Sequence, residues 1–292
     1  MEHQDQRSDV TVLVANTTNN AKGGAARHRR WAPARDAAWD LLDGWVAPGA
    51  RVAVVGAGNG DDVPLARLAR RAGALDLIDL DRAALRRARR RAQGGGLRRG
   101  GRGGAAVRAL AEDVTGGAAD AIVAAGSARA GARARGTVTP AVCADAVGDG
   151  PYDVVVCDLL LTPLLFPALR RTGLDGRAVD DILLRDGQGL TDAVVARLHA
   201  AAPGGTVVIL HDLLGWWDGH AQPFGLEELL ARGAEDPAAA VALAARGSLP
   251  YGCDPWTATR RAGAEVAETR LWRWPFAAGA DYAVFGLVTR RP

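Results

Sequence analysis

The stretch Arg51–Asp62, RVAVVGAGNGDD, joins a continuous apolar run to three alternating glycines and then to two aspartates. A short run of Val and Ala with no polar interruption suits a strand covered on both faces. Gly56, Gly58 and Gly60 let the chain turn sharply and let a ligand come close to the backbone. The following DDVPLARLARRAG reads as a helix with acids in its first turn and arginines in its last, the order that the helix dipole favours. A strand, a glycine turn and a helix in that order begin an alternating α/β fold.

The alternation continues. ALDLIDLD (74–81) reads as a second strand, and RAALRRARRRAQ as a helix with Ala84, Leu85, Ala88 and Ala92 on one face. AVRALAEDVT (106–115) reads as a third strand and YDVVVCDLLL (152–161) as a fourth. LTDAVVARLHAAAPGGTVVIL (190–210) is a helix, a Pro-Gly-Gly break and a fifth strand. EVAETRLWRWPF and DYAVFGLVTR suggest a closing antiparallel pair. GGAADAIVAAGSARAGARARGT (116–137) reads as an extra helix plus loop, and GGGLRRGGRGG (94–104) as a low-complexity surface loop. Before the first strand lie the polar patch Asn16–Trp31 and a helix, PARDAAWDLLDGWV.

The 292 residues, 48% of them apolar, suffice for one large domain. Neither an apolar stretch long enough to span a membrane nor a signal-peptide pattern is present, so a cytoplasmic protein with no membrane partner is expected. The three cysteines, Cys143, Cys157 and Cys253, are widely spaced and odd in number, which predicts neither a disulfide framework nor a metal centre. The net charge is +3, carried almost wholly by arginine, with Lys22 the single lysine.

The glycine turn narrows the ligand. A dinucleotide turn carries GxGxxG, and its third glycine packs the helix on the strand. Here that place is Asp61. Asp61 and Asp62 beside a helix N-terminus would repel a pyrophosphate and suit a ligand with a cationic end and no phosphate. Taken with Asp79 at the end of LIDLD, with YDVVVCDLLL and with LHAAAPGGTVVI, the turn resembles the class I S-adenosylmethionine (SAM)-dependent methyltransferases over roughly residues 46–210. The resemblance implies a doubly wound, Rossmann-like, mainly parallel seven-stranded sheet with an antiparallel last strand. It implies SAM as cofactor, bound by Gly56, Ala57, Gly58, Asn59, Gly60 and Asp61, with Asp79 and Leu80 at the ribose and Asp158 at the fourth strand. Asp113 with Val114 stands where the family's adenine-binding acid lies, and Asp145 is the alternative. Residues 1–45 become an extension that lids the site, and 46–292 the methyltransferase domain.

The acceptor side is less constrained. CDLLLTP departs from the Asn/Asp-Pro-Pro-aromatic pattern of enzymes that methylate exocyclic base amines, which argues against that chemistry. His211, after the fifth strand, is placed to take a proton from an oxygen or nitrogen nucleophile, with strand and helix capping by His211 and Asp212 as the alternative. Asp158 also sits at the reacting edge, and His28 in RHRRW is a candidate lid residue. By topology the pocket should draw on residues 16–31, Asp158–Thr162 and His211–Trp217. The late tryptophans, Trp216, Trp217, Trp256, Trp272 and Trp274, suit either a core or a wall for a flat or cationic substrate. The arginines of residues 82–102 form either a solvated face or a phosphate-binding patch without interleaved aromatics. The expected activity is methyl transfer to an oxygen or nitrogen of a small molecule or peptide. The alternatives are RNA methylation through the arginine patch, transfer of another SAM-derived group, or non-catalytic SAM binding.

Overall fold

The computed structural model describes residues 11–94, 105–130, 145–220, 222–247 and 253–292. The Arg98, Arg99 and Arg102 loop, Cys143 and the end of the 116–137 segment lie outside these residues.

Three helices come first: α1 (Val12–Ala21), α2 (Ala25–Arg30) and α3 (Ala32–Leu42). The α/β part then runs β1 (Arg51–Val55), α4 (Leu65–Arg71), β2 (Ala74–Asp79), α5 (Arg82–Ala92), β3 (Ala106–Ala111), α6 (Ala118–Ala130) and β4 (Val154–Asp158). A short turn leads into α7 (Phe166–Leu169), then α8 (Gly176–Ala201) and β5 (Thr206–Trp217). The chain finishes with α9 (Leu226–Glu235), α10 (Pro237–Ala244), α11 (Pro255–Arg261), β6 (Glu265–Ala277) and β7 (Ala280–Arg290).

The sheet has seven strands in the order β3-β2-β1-β4-β5-β7-β6. β1 to β5 pair in parallel, while β7 runs antiparallel to both of its neighbours, as the expected Rossmann-like architecture requires. Two apolar layers cover the sheet, one on each face. That explains why β1 and β4 need no polar alternation: Val52–Val55 and Val154–Asp158 are all buried. α5 buries Ala84, Leu85, Ala88 and Ala92, the stripe seen in the sequence, and Asp81 caps it by accepting from the N–H groups of Ala83 and Ala84. Strand order reverses between β1 and β4, so their carboxyl ends open a crevice in which such sheets hold ligands.

Two expectations need correction. α4 starts only at Leu65, after Pro64, so Asp61 and Asp62 lie in the loop before it rather than in its first turn. β5 does not stop near residue 210. It runs to Trp217 along β7, with a bulge between Asp212 and Leu214, so His211 and Asp212 are strand residues and Asp212 caps no helix.

The N-terminal helices are tied down from several sides. The Val12 N–H donates to Asp120 Oδ1 at 2.7 Å. Trp31 is buried, donates from Nε1 to the Phe276 carbonyl at 3.0 Å, and meets Trp274 edge-on at 4.7 Å between centroids. A buried tryptophan that joins α2 and α3 to β6 carries much of that attachment. Truncation of such a ring typically costs roughly 3–5 kcal/mol. Trp31→Ala should therefore loosen the extension locally: limited trypsin digestion should cut at Lys22 and Arg27 much faster than in the parent while the sheet core survives. An unchanged digestion pattern would show that the anchor lies elsewhere.

Candidate functional site

The carboxyl ends of β1, β2, β4 and β5 face one cavity of about 1080 Å³. Typical small-molecule sites span about 300–1,000 Å³, so there is room for more than one ligand group. The N-terminal extension supplies Asn16, Asn19, Asn20, Lys22, Arg27 and Trp31 to its wall. The edge after β4 supplies Asp158, Leu159, Leu160 and Thr162, and β5 supplies Asp212, Gly215 and Trp217. The three segments singled out from topology thus surround the same space.

The glycine turn forms the floor at β1. Gly56 has φ +80°, and a Cβ there would stand 2.9 Å from Leu160 Cβ and 3.1 Å from the Asp158 carbonyl oxygen. Only a bare backbone allows the turn to pass that close to the β4 edge. On the β4 side Leu159 takes φ +48°, a left-handed conformation that costs a branched residue roughly 1–2 kcal/mol. Strain of this kind persists where the surroundings enforce it. Here the Leu159 N–H is fixed to the Leu210 carbonyl at 3.0 Å. Asp79 ends β2, and its two oxygens accept from the backbone N–H groups of Gly58 (2.9 Å) and Asp81 (2.8 Å). The Leu80 N–H adds to this set, and Asp79 lines the cavity.

Charge is the dominant feature. Burial pushes Asp158 well above the usual carboxylate range, and the neighbouring carboxyls of Asp62 and Asp79 add to the shift. The Asp62 carboxyl is the hydrogen-bonding neighbour of Asp158, and sharing a proton between the two raises Asp158 and acts to lower Asp62. Asp62 faces Asp158; part of its surface meets the cavity, but protein surrounds it closely, and burial raises it too. Asp79 is raised by burial despite its backbone hydrogen bonds. Asp212 is pushed up to about 7 by burial, against a hydrogen bond from Thr162 Oγ1 at 2.8 Å. Four carboxyls therefore line one cavity in a state that disfavours their ionisation.

Asp61 behaves in the opposite way, which corrects its expected role. Burial alone would raise it, but the hydrogen bonds and charges of Arg27 and Arg91 outweigh burial and hold it below the ordinary range. Arg27 Nη2 lies 2.6 Å from Asp61 Oδ2, Arg91 bonds the other oxygen, and Arg35 donates to the Asp61 carbonyl. Asp61 is thus an internal hub that joins α2, α3 and α5 to the glycine loop, and its carboxylate is already neutralised. Asn59 adds a second clasp: its amide donates to the Asn20 carbonyl at 2.8 Å and accepts from Arg87 at 2.6 Å.

Other residues fall outside the cavity wall. His211 is fully buried, and burial lowers its pKa to about 4, so it is neutral and out of reach of a ligand. The strand turns its neighbour Asp212 to the cavity instead. His28 sits 3.6 Å from Asp61 Oδ1 and is lowered by burial and then by Arg35, so it belongs to the Asp61 hub. Asp113 accepts from the Thr115 N–H and hydroxyl and from the Gly117 N–H, closing the turn before α6. Neither it, Val114, nor Asp145 lines the cavity, and the same holds for Ala57, Gly60 and Leu80. Gly60 serves packing, since a Cβ there would meet Leu65. Among the described residues no cluster of metal-ligating side chains occurs, and no helix is long and apolar enough to cross a membrane.

The late tryptophans, which suit either a core or a wall by sequence, divide between the two. Trp217 and Trp274 line the cavity with Trp31, Phe276 and Tyr282, whereas Trp216, Trp256 and Trp272 pack within the fold. These rings come from chain segments far apart and meet only because Gly215 pairs with Tyr282 and Tyr282 with Trp274.

No family model matches the chain, and no curated protein matches it. Solved structures resemble it at low identity. Magnesium protoporphyrin IX methyltransferase (ChlM) from Synechocystis PCC 6803, with bound SAH, is 16% identical over 100% of this chain and 90% of its own, with a TM-score of 0.42. A SAM-dependent methyltransferase from Methanosarcina mazei is 12% identical over 86% of this chain and 96% of its own, with a TM-score of 0.44. The [4+2]-cyclase SpnF is 14% identical over 88% and 81%, with a TM-score of 0.44. At these TM-scores the likenesses decide nothing about chemistry, which is read from the site.

The raised carboxyls make a stability prediction. A group whose folded-state pKa is raised contributes stability that is complete below its unfolded value of 3.8 and lost as pH rises through its folded value, about 7 for Asp212. Asp212→Asn removes that loss and can still accept from Thr162. The variant and parent should melt nearly together at pH 4 and separate at pH 8. There the variant should gain roughly 1–2 kcal/mol, or about 2–4 °C per kcal/mol. Thermal denaturation at the two pH values checks this, and equal midpoints at pH 8 would show that Asp212 is not strained.

Proposed function

We propose that the protein is a SAM-dependent methyltransferase. The observation that carries this reading is the cavity's set of buried carboxyls, Asp62, Asp79, Asp158 and Asp212, beside a glycine turn at the strand-order reversal. Such a site repels the pyrophosphate of a dinucleotide and favours a phosphate-free cation. SAM supplies an electrophilic methyl on a sulfonium and carries an ammonium as well.

The chain's own residues divide the work. Asp79 lines the cavity at the end of β2, and the two oxygens of its carboxyl are suited to a pair of ribose hydroxyls. Asp62 and Asp158, whose ionisation burial disfavours, would give up a proton to hold a cationic end. Asp212, not His211, is placed to accept the acceptor's proton, because a carboxyl that titrates near 7 is matched to neutral pH. The extension of residues 1–45 acts as the lid. Its Asn20–Asn59 and Arg27–Asp61 contacts hold it over the glycine loop, and Trp31 closes the acceptor end. A closed lid excludes water and keeps the reacting atoms aligned. Of the α5 arginines, Arg87 and Arg91 are engaged with Asn59 and Asp61, so the RNA reading gains no support from them. A small-molecule acceptor suits a cavity of this size best.

Calorimetry with S-adenosylhomocysteine and with NAD tests the reading: the first should bind and the second should not. Asp79→Asn should weaken S-adenosylhomocysteine by about 1.5–3 kcal/mol, the range for hydrogen bonds to a charged group. Asp81→Asn, which alters the cap of α5, should weaken it less. NAD binding without S-adenosylhomocysteine binding, or equal loss in both variants, would overturn the assignment.

A further inference from the structure

The sheet's antiparallel end builds a chamber that the cofactor reading does not use. Trp217 on β5, Tyr282 on β7 and Trp274 and Phe276 on β6 line the cavity together with Trp31. Centroid distances of 4.7–6.0 Å link them into one continuous set: Trp31–Trp274, Trp274–Phe276, Phe276–Tyr282 and Trp217–Tyr282. The backbone is shaped around the rings. A Cβ at Gly215 would lie 2.7 Å from Trp217 and 2.8 Å from Tyr282, so only glycine lets both rings seat against β5.

The bulge in β5 ties this chamber to a charge. Side chains alternate across a strand, so Asp212 and Gly215 would ordinarily face opposite sides of the sheet. The register shift between Asp212 and Leu214 brings both to the cavity. Asp212 is the one carboxyl that the chamber's strands contribute to the cavity wall. The basic residues of the wall are Lys22, Arg27, Arg170 and Arg171, from the N-terminal helices and the end of α7, and His220, whose ring stacks on Trp217 at 3.9 Å. Arg27 does stack 4.9 Å from the Trp31 ring, but Asp61 matches its charge. The chamber's mouth is apolar: Trp217 and Phe276 are 39% and 41% exposed, and Leu184, also on the cavity wall, is 72% exposed.

We propose that the acceptor is a flat aromatic molecule carrying a basic nitrogen, with its ring among Trp31, Trp217, Trp274, Phe276 and Tyr282 and its nitrogen at Asp212. Ring faces attract cations and stack on flat apolar groups, and a carboxylate completes the recognition of an ammonium. An anionic acceptor would meet Asp212 and Asp158 with no free cation from the chamber's strands. The proposal rests on the methyl-transfer reading for its chemistry, which balances as follows. The acceptor ammonium gives one proton to the Asp212 carboxylate, exposing the nitrogen lone pair. That pair forms the new N–CH₃ bond as the S–CH₃ bond breaks, and the bonding electrons stay on sulfur, leaving a neutral thioether. The product nitrogen is again cationic, and Asp212 releases its proton to solvent.

The test is calorimetric titration of the full chain with three probes, each with and without S-adenosylhomocysteine: tryptamine, indole-3-propionate and 2-cyclohexylethylamine. Tryptamine should bind at least about tenfold more tightly than the other two, because one lacks the positive charge and the other the ring. Asp212→Asn should shrink the preference for tryptamine over indole-3-propionate to within about threefold. Trp217→Leu, at a half-exposed ring that the core does not need, should weaken tryptamine at least about fivefold and leave the cyclohexyl amine nearly unchanged. Indole-3-propionate or the cyclohexyl amine binding as tightly as tryptamine would overturn the proposal, as would no response to either variant. If S-adenosylhomocysteine binds and tryptamine does not, the acceptor class alone falls. If tryptamine binds selectively and S-adenosylhomocysteine does not, the aromatic-amine site stands and the methyl-transfer reading falls.

Discussion

The structure turns on an imbalance of charge. Asp62, Asp79, Asp158 and Asp212 line one cavity and are raised chiefly by burial, and the charge of Arg27, which acts against the shift at Asp62, is already matched by Asp61. An unpaired buried carboxylate is costly and ordinarily acquires a partner or a proton. The protein shows that it can supply partners: Asp61, next in the chain, has Arg27 and Arg91 and stays ionised. The contrast within two adjacent residues separates a structural carboxylate from ones kept open for a ligand. Sites that bind or react often carry this kind of stored destabilisation.

The paired and the unpaired acids depend on one another. The Asp61 hub holds α2, α3 and α5 against the glycine loop, and Asn59 holds α1 through the Asn20 carbonyl. These contacts roof the cavity. With the roof in place, Asp62 and Asp158 sit in surroundings poor enough in water for their charge to act strongly on a bound cation. Trp31 joins the same roof to the aromatic strands, so the carboxyl end and the aromatic end of the cavity share one cover.

Much of this was legible because buried parallel strands announce themselves as unbroken apolar runs. β1, β2, β4 and the start of β5 were visible on that ground, as were the apolar face of α5 and the glycine turn. Asp79 at the end of β2 followed from position alone. What stayed hidden depends on contacts between distant segments. Which of two adjacent strand residues faces a cavity depends on the sheet around them, so the sequence pointed to His211 where the fold presents Asp212, and nothing in HDLLGWW marks the bulge that brings Gly215 to the same side. The pairing of Asp61 with Arg27 and Arg91 spans about thirty residues in each direction and follows no local rule. The acid Asp113 looked free, but a turn of its own closes on it. The aromatic chamber arises only from the pairing of β5, β7 and β6.

The account's central claim is that the open carboxyls are kept for a cation. If so, binding SAM must ionise them. The most direct measurement is calorimetry of SAM binding near pH 7 in buffers of different ionisation enthalpy, which counts the protons exchanged. The account predicts net proton release on binding, larger for SAM than for S-adenosylhomocysteine, whose sulfur is uncharged. Proton uptake, no proton exchange, or equal release with both ligands would contradict it.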